Sequence, residues 1–169
     1  MEESGPTVQA PGTTLVTTPR QPALPINDIS AEKARSKATG IGEFDRVLGG
    51  GIVPGAVILL AGEPGVGKST LLLEVASTCA GAAPVLYITG EESASQVRGR
   101  AERIGALHPQ LFLADETSLS TALGHIEATN PSLVIVDSVQ TLQSDQLDGG
   151  AGSVAQVRAV ASALIRVAK

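Results

Sequence analysis

At 169 residues, 43% of them apolar but only 2% aromatic, the chain has room for one domain with an aliphatic core of Val, Leu, Ile and Ala. Its formal net charge of −5, with 17% charged residues, gives no electrostatic ground for nucleic acid or an anionic membrane as partner. A single cysteine, Cys79, excludes an internal disulfide and a Cys-rich zinc site.

The acidic opening Met1-Glu2-Glu3-Ser4 leads into no apolar run, and the longest apolar run, residues 56–61, is far short of a membrane span. A soluble, cytoplasmic chain with no membrane partner is expected. Residues 1–25 hold Pro6, Pro11, Pro19, Pro22 and Pro25 among Thr, Gly and Gln, without helical or strand period, so they read as a disordered leader or linker. Residues 26–40 are transitional, with charges at Glu32, Lys33, Arg35 and Lys37, and compact structure is expected from near Thr39. Residues 41–48 predict a short helix closed by Gly49-Gly50-Gly51. A buried strand follows at 57–61, a helix at 68–80 ended by Gly81, a strand at 85–89 and a helix at 94–104. The pattern continues with a strand at 111–113, a helix at 119–128, a strand at 133–136, a Gly/Asp/Gln-rich loop at 141–153 and a helix at 154–169. Apolar strands alternating with helices predict an α/β fold around a parallel sheet. A last helix with no strand after it reads as truncation of such a fold.

Gly62-Glu63-Pro64-Gly65-Val66-Gly67-Lys68-Ser69 matches the phosphate-loop pattern G-x-x-x-x-G-K-[ST] in full. Its glycines let backbone N–H groups approach phosphate oxygens with no Cβ in the way, and the helix from Lys68 points its positive dipole end at them. Lys68 adds a charge near the β- and γ-phosphates of ATP, Ser69 offers Mg²⁺ a hydroxyl, and Thr70 is placed to reach an inner phosphate. The alternative, a Gly-rich turn with a chance Lys-Ser, fits poorly between a predicted apolar strand and a predicted helix.

Asp137 ends the predicted strand at 133–136, where ligands of open α/β sheets gather, and a carboxylate there pairs with Ser69 in holding Mg²⁺. Glu91 and Glu92 follow the strand at 85–89. Either can orient or deprotonate an attacking water, with Glu91 preferred, although acidic residues also suit a helix start. Cys79 reads as a buried structural thiol, and His108 and His125 as isolated residues without metal-ligand spacing. Arg98, Arg100 and Arg103, sharing a helix with Glu102, read as a solvated face rather than a nucleic-acid patch.

Four blocks in order carry a family resemblance. Thr39-Gly40-Ile41-Gly42-Glu43-Phe44-Asp45-Arg46-Val47-Leu48-Gly49-Gly50-Gly51-Ile52-Val53-Pro54-Gly55 leads into the phosphate loop. Tyr87-Ile88-Thr89-Gly90-Glu91-Glu92-Ser93, Val136-Asp137-Ser138-Val139-Gln140-Thr141 and Gly152-Ser153-Val154-Ala155-Gln156-Val157-Arg158 follow. Over about residues 24–169 the chain resembles the RadA/Sms bacterial DNA-repair ATPases of the RecA-like P-loop superfamily. The resemblance implies a RecA-like ATPase core at 26–169, Lys68 as phosphate lysine, Ser69 and Asp137 as the Mg²⁺ pair, and Glu91 as the water-activating carboxylate. It also implies hexameric rings around single-stranded DNA, ATP-driven branch migration in recombinational repair, and a RecA-type recombinase as partner. Residues 142–153 would be a DNA-facing channel loop, although it carries Asp145 and Asp148 and supplies neither basic groove nor stacking aromatic. The family's four-cysteine zinc module, its Lys-Asn-Arg-Phe-Gly motif and its Lon-like C-terminal domain are absent, so the chain reads as a fragment with weak turnover of its own.

The competing reading is an ATP-controlled switch or clock-type RecA-like ATPase without DNA activity, which shares the adjacent glutamates. A GTPase lacks support because no Asn-Lys-x-Asp occurs, and a small-molecule kinase because no Arg-rich lid follows the phosphate loop.

Overall fold

The computed structural model describes residues 23–30 and 35–169, and the chain divides into two units, Met1–Glu32 and Lys33–Lys169. In the first, the described stretch makes one 3-10 turn, Ile26–Asp28, entered through Pro25. The leader expected at 1–25 lies, but for its last three residues, outside the described residues.

The second unit is built on a parallel sheet ordered β2–β1–β3, with β1 at Val85–Thr89, β2 at Leu111–Asp115 and β3 at Leu133–Asp137. All five β1 residues are buried, as a strand covered on both faces requires. Strand alternation sorts them. Val85 and Tyr87 pack with Leu73, Ala76 and Ala80 of α2 (Lys68–Ala80) and Val97 and Ala101 of α3 (Ala94–Arg103). Leu86 and Ile88 face the other way, onto Ala122 and Ile126 of α4 (Leu119–Thr129) and Val160 and Ala163 of α5 (Val154–Ala168). Each fully buried Leu or Ile contributes about 1.5–3 kcal/mol. The small α1 (Gly42–Val47) precedes this α/β sandwich.

Helix starts follow local chemistry. Ser93, Ser118 and Ser153 cap α3, α4 and α5 by accepting from the backbone N–H three residues on, and Gln96 completes a capping box at Ser93. α4 ends at Asn130 in the left-handed conformation, φ 46°.

The structure departs from the sequence-based expectations in three places. Residues 57–61, expected as a strand, form no ladder among the described residues, and Val57, Ile58 and Leu59 are exposed. The described sheet therefore has three strands where four were expected, with β3 at its edge. A short apolar run suits a sheet, but a strand exists only where a neighbouring backbone completes its hydrogen bonds. Secondly, compact structure begins before Thr39: Lys37 and Ile52 exchange hydrogen bonds at 2.8 Å. Thirdly, the loop expected from residue 141 starts inside the core. Leu142 is buried, and Gln143 bridges the backbones of Thr117 and Leu119.

Candidate nucleotide and metal site

Register places Thr89, Asp115 and Asp137 side by side at the carboxyl rim of the sheet. α2 ends at Ala80, a short turn before β1 begins at Val85, so its other end, at Lys68, opens at that same rim. Crevices outside strand carboxyl ends are where open α/β sheets bind ligands.

Unlike the serine-capped helices, α2 has no side-chain cap; its N-cap is Gly67 at φ 95°. Gly65 is also left-handed, at φ 82°. A Cβ at either position would meet open space, so backbone conformation, not crowding, favours glycine there. Lys68 Nζ donates to the carbonyls of Gly62 at 2.8 Å and Glu63 at 2.7 Å, folding its charge back over the loop. Glu63, Pro64, Gly65 and Val66 are exposed, while Ser69 and Thr70 are half-buried at the first turn of α2.

Across the rim, Asp137 Oδ2 accepts from the Tyr87 hydroxyl at 2.7 Å. Tyr87 is 1% exposed. Burial first, and then the adjoining Asp137 carboxylate, push its phenol far above the usual tyrosine range, keeping it a donor. The peptide between Asp137 and Ser138 is cis. Ser138 Oγ donates to Glu91 Oε1 at 2.6 Å, so Glu91 sits beside the residue that follows Asp137. Glu92 turns elsewhere: its carboxylate is taken by Arg100, and its backbone N–H donates to Thr89 Oγ1. The two glutamates, equivalent in the sequence, thus have different surroundings. Among the described residues no side-chain hydrogen bond joins Lys68, Ser69 or Thr70 to Asp137 or Glu91.

Gly90 allows this convergence. A Cβ there would fall 2.7 Å from Thr141 Cβ and 3.2 Å from the Glu116 carbonyl. Its N–H donates to the Asp137 carbonyl at 3.2 Å, tying the turn after β1 to the end of β3.

Hard oxygen donors at Ser69 and Asp137 fit Mg²⁺, which takes few protein ligands and keeps water and phosphate oxygens for the rest. The described residues contain no cluster of three or more His, Cys, Asp or Glu fit to hold a metal by themselves. An apolar cavity of about 580 Å³ between α3 and β2, lined by Leu107, Pro109 and Leu111, includes none of residues 62–70.

Arg100 corrects the expectation of a wholly solvated arginine face. Its side chain is 21% exposed and committed to Glu92, whereas Arg98 and Glu102 make an exposed pair at 3.7 Å. Cys79 is half-buried against the core rather than fully buried, and burial pushes its thiol up. His125 is not isolated: its Nε2 lies 3.3 Å from Glu116 Oε1. Sequence reasoning passed over Tyr87, Ser138 and Gly90. The available signal for Tyr87 was its being the only tyrosine, inside an otherwise aliphatic strand run.

A family model described as "ATPase: KaiC" matches residues 37–119. The DNA repair protein RadA of Mycolicibacterium smegmatis is 56% identical over 152 residues, covering 89% of this chain and 33% of that relative. RadA of Mycobacterium tuberculosis is 54% identical over 154 residues, 89% of this chain and 32% of the relative. RadA of Streptococcus pneumoniae is 41% identical over 146 residues, 86% and 35%. The chain spans about a third of the length of the curated relatives it matches. No described helix is long and apolar enough to cross a membrane.

Proposed function

We propose that this chain belongs with the RadA-type, RecA-like P-loop ATPases, to which its similarity points, and that it is the ATP-hydrolysing core of a DNA-dependent repair ATPase. Residues 62–70 wrap the phosphates of ATP with backbone N–H groups. Lys68 exchanges the carbonyls of Gly62 and Glu63 for the β- and γ-phosphate oxygens, and Thr70 adds a hydroxyl to an inner phosphate. Ser69 and Asp137 hold Mg²⁺, which supplies neutralisation of the phosphate charge when bound. Glu91 accepts the proton of the water whose oxygen attacks the γ-phosphorus, while the bond to ADP breaks. The hydroxyl of Ser138, the residue after Asp137, holds the Glu91 carboxylate by one oxygen.

The observation that carries this reading is the opening of the uncapped α2 N-terminus at the rim that also bears Asp137 and Glu91. The finer activity belongs to the whole protein: a cytoplasmic ring of six copies around single-stranded DNA, driving branch migration of recombination intermediates beside a RecA-type recombinase. Within it, residues 142–153 form the loop facing the DNA.

The test is ATP hydrolysis with and without single-stranded DNA, on a protein of the relatives' length and on this chain. Stimulation in the longer protein supports the repair ATPase. Its absence favours the second reading, an ATP-controlled switch, to which the match with the KaiC-type model lends its weight.

A further inference from the structure

We infer that Tyr87 is a positioning residue for Asp137, holding one carboxylate oxygen so that the other is presented toward Ser69 and the phosphate loop. The inference rests on the proposed metal role of Asp137. Tyr87 and Asp137 lie on neighbouring parallel strands, where Tyr87 pairs with Ile135 and Thr89 with Asp137, so the two are diagonal neighbours. The ring is buried among Leu73, Ala76, Val97 and Ile135, an apolar setting that a phenylalanine would fill as well. The hydroxyl makes one hydrogen bond, to Asp137 Oδ2 at 2.7 Å, and no other described side chain bonds that carboxylate.

A carboxylate at a strand end otherwise turns about its last torsion, which is broad and two-fold. A donor fixed by a buried ring removes that freedom and selects Oδ1 as the oxygen left for a metal ion or its water. Mg²⁺ demands near-ideal octahedral geometry, so its affinity falls steeply when a ligand is free to turn, and loss of such outer partners weakens metal binding 10- to 100-fold. A purely structural tyrosine would use Asp137 only to satisfy its own buried hydroxyl.

The two roles separate in nucleotide binding. A fluorescent ATP analogue is titrated into the full chain in EDTA and over a Mg²⁺ series, for the wild type, Tyr87→Phe and Asp137→Asn, with thermal unfolding of each. We expect Tyr87→Phe to raise the Mg²⁺ midpoint about 10-fold while affinity in EDTA and the fold stay unchanged. A Mg²⁺ midpoint equal to the wild type's overturns the inference. So does an equal loss of affinity with and without Mg²⁺, which marks a packing role. If the wild type gains nothing from Mg²⁺, or Asp137→Asn leaves the gain intact, the metal assignment itself fails and this inference with it.

Discussion

Ser138 donates its hydroxyl to Glu91 at 2.6 Å across a sequence separation of 47 residues, joining the turn after β3 to the turn after β1. That bond fixes a carboxylate one residue beyond Asp137, at the rim where α2 opens. A general base contributes about 10²- to 10⁴-fold to a rate. Glu91→Gln should therefore retain Mg²⁺–ATP affinity and lose turnover by about that factor, measured by phosphate release in the full-length protein. Normal turnover would move the role away from Glu91.

Glu92 has the opposite expectation. Its carboxylate is committed to Arg100, with side chains 35% and 21% exposed, so its work is to tie the turn after β1 to the last turn of α3. Glu92→Gln should lower stability by about 1 kcal/mol, between the values for exposed and buried pairs, and leave turnover within a few-fold. Urea unfolding and steady-state hydrolysis read the two effects separately.

Among the described residues Lys68 Nζ bonds the Gly62 and Glu63 carbonyls, and the side chain belongs to neither core cluster, so removing it takes nothing from the core. Lys68→Ala should leave the unfolding midpoint unchanged. Hydrogen bonds to charged groups are worth about 1.5–3 kcal/mol, so affinity for Mg²⁺–ATP should fall about 10- to 100-fold or more. Unchanged affinity by equilibrium titration would sink the phosphate-loop assignment.

These predictions draw unequally on the sequence. The pattern from Gly62 to Ser69, the start of α2 at Lys68 and the end of β3 at Asp137 are legible because they depend on local conformation: left-handed glycines, a helix start, and a strand that ends on a polar residue. Serines at 93, 118 and 153 announce their helices for the same reason. Residues 57–61 were misleading because pairing is not local. The partners of Tyr87, Ser138 and Arg100 were not legible because periodicity cannot supply a partner distant in sequence. Arg100 even occupies a position that charge patterning assigns to solvent.

Asp45 ties the lead-in turn to α1. It accepts from the Thr39 N–H and hydroxyl, both at 2.7 Å, and from the Gly40 N–H at 3.1 Å. The Thr39 N–H foremost, then its hydroxyl, hold the carboxyl below its usual range. A depressed folded value stabilises the fold above the unfolded pKa of about 3.9 and loses that contribution as pH falls through the folded value. The gap in thermal midpoint between wild type and Asp45→Asn should be constant from about pH 7 to 5 and close below about pH 4. A gap independent of pH would show that these bonds do not favour the ionised form.

Gln156 is 1% exposed, yet it is the most polar group in the α5 interface. Its Oε1 accepts from the Ser144 N–H at 2.8 Å. Its Nε2 donates toward the carbonyls of Ser144, Leu147 and Gly149 at 3.1, 2.9 and 3.3 Å. Two amide protons shared among three carbonyls make a clamp that organises the loop from within. Replacing it by leucine of similar size would bury the Ser144 N–H without a partner, at a cost of about 1–3 kcal/mol. Gln156→Leu should therefore speed hydrogen exchange at residues 144–149 while leaving exchange in β1 and affinity for Mg²⁺–ATP unchanged. If residues 142–153 face DNA, stimulation of hydrolysis by single strands should fall in the same variant. Unchanged protection at 144–149 would mean that the loop holds its shape without the clamp.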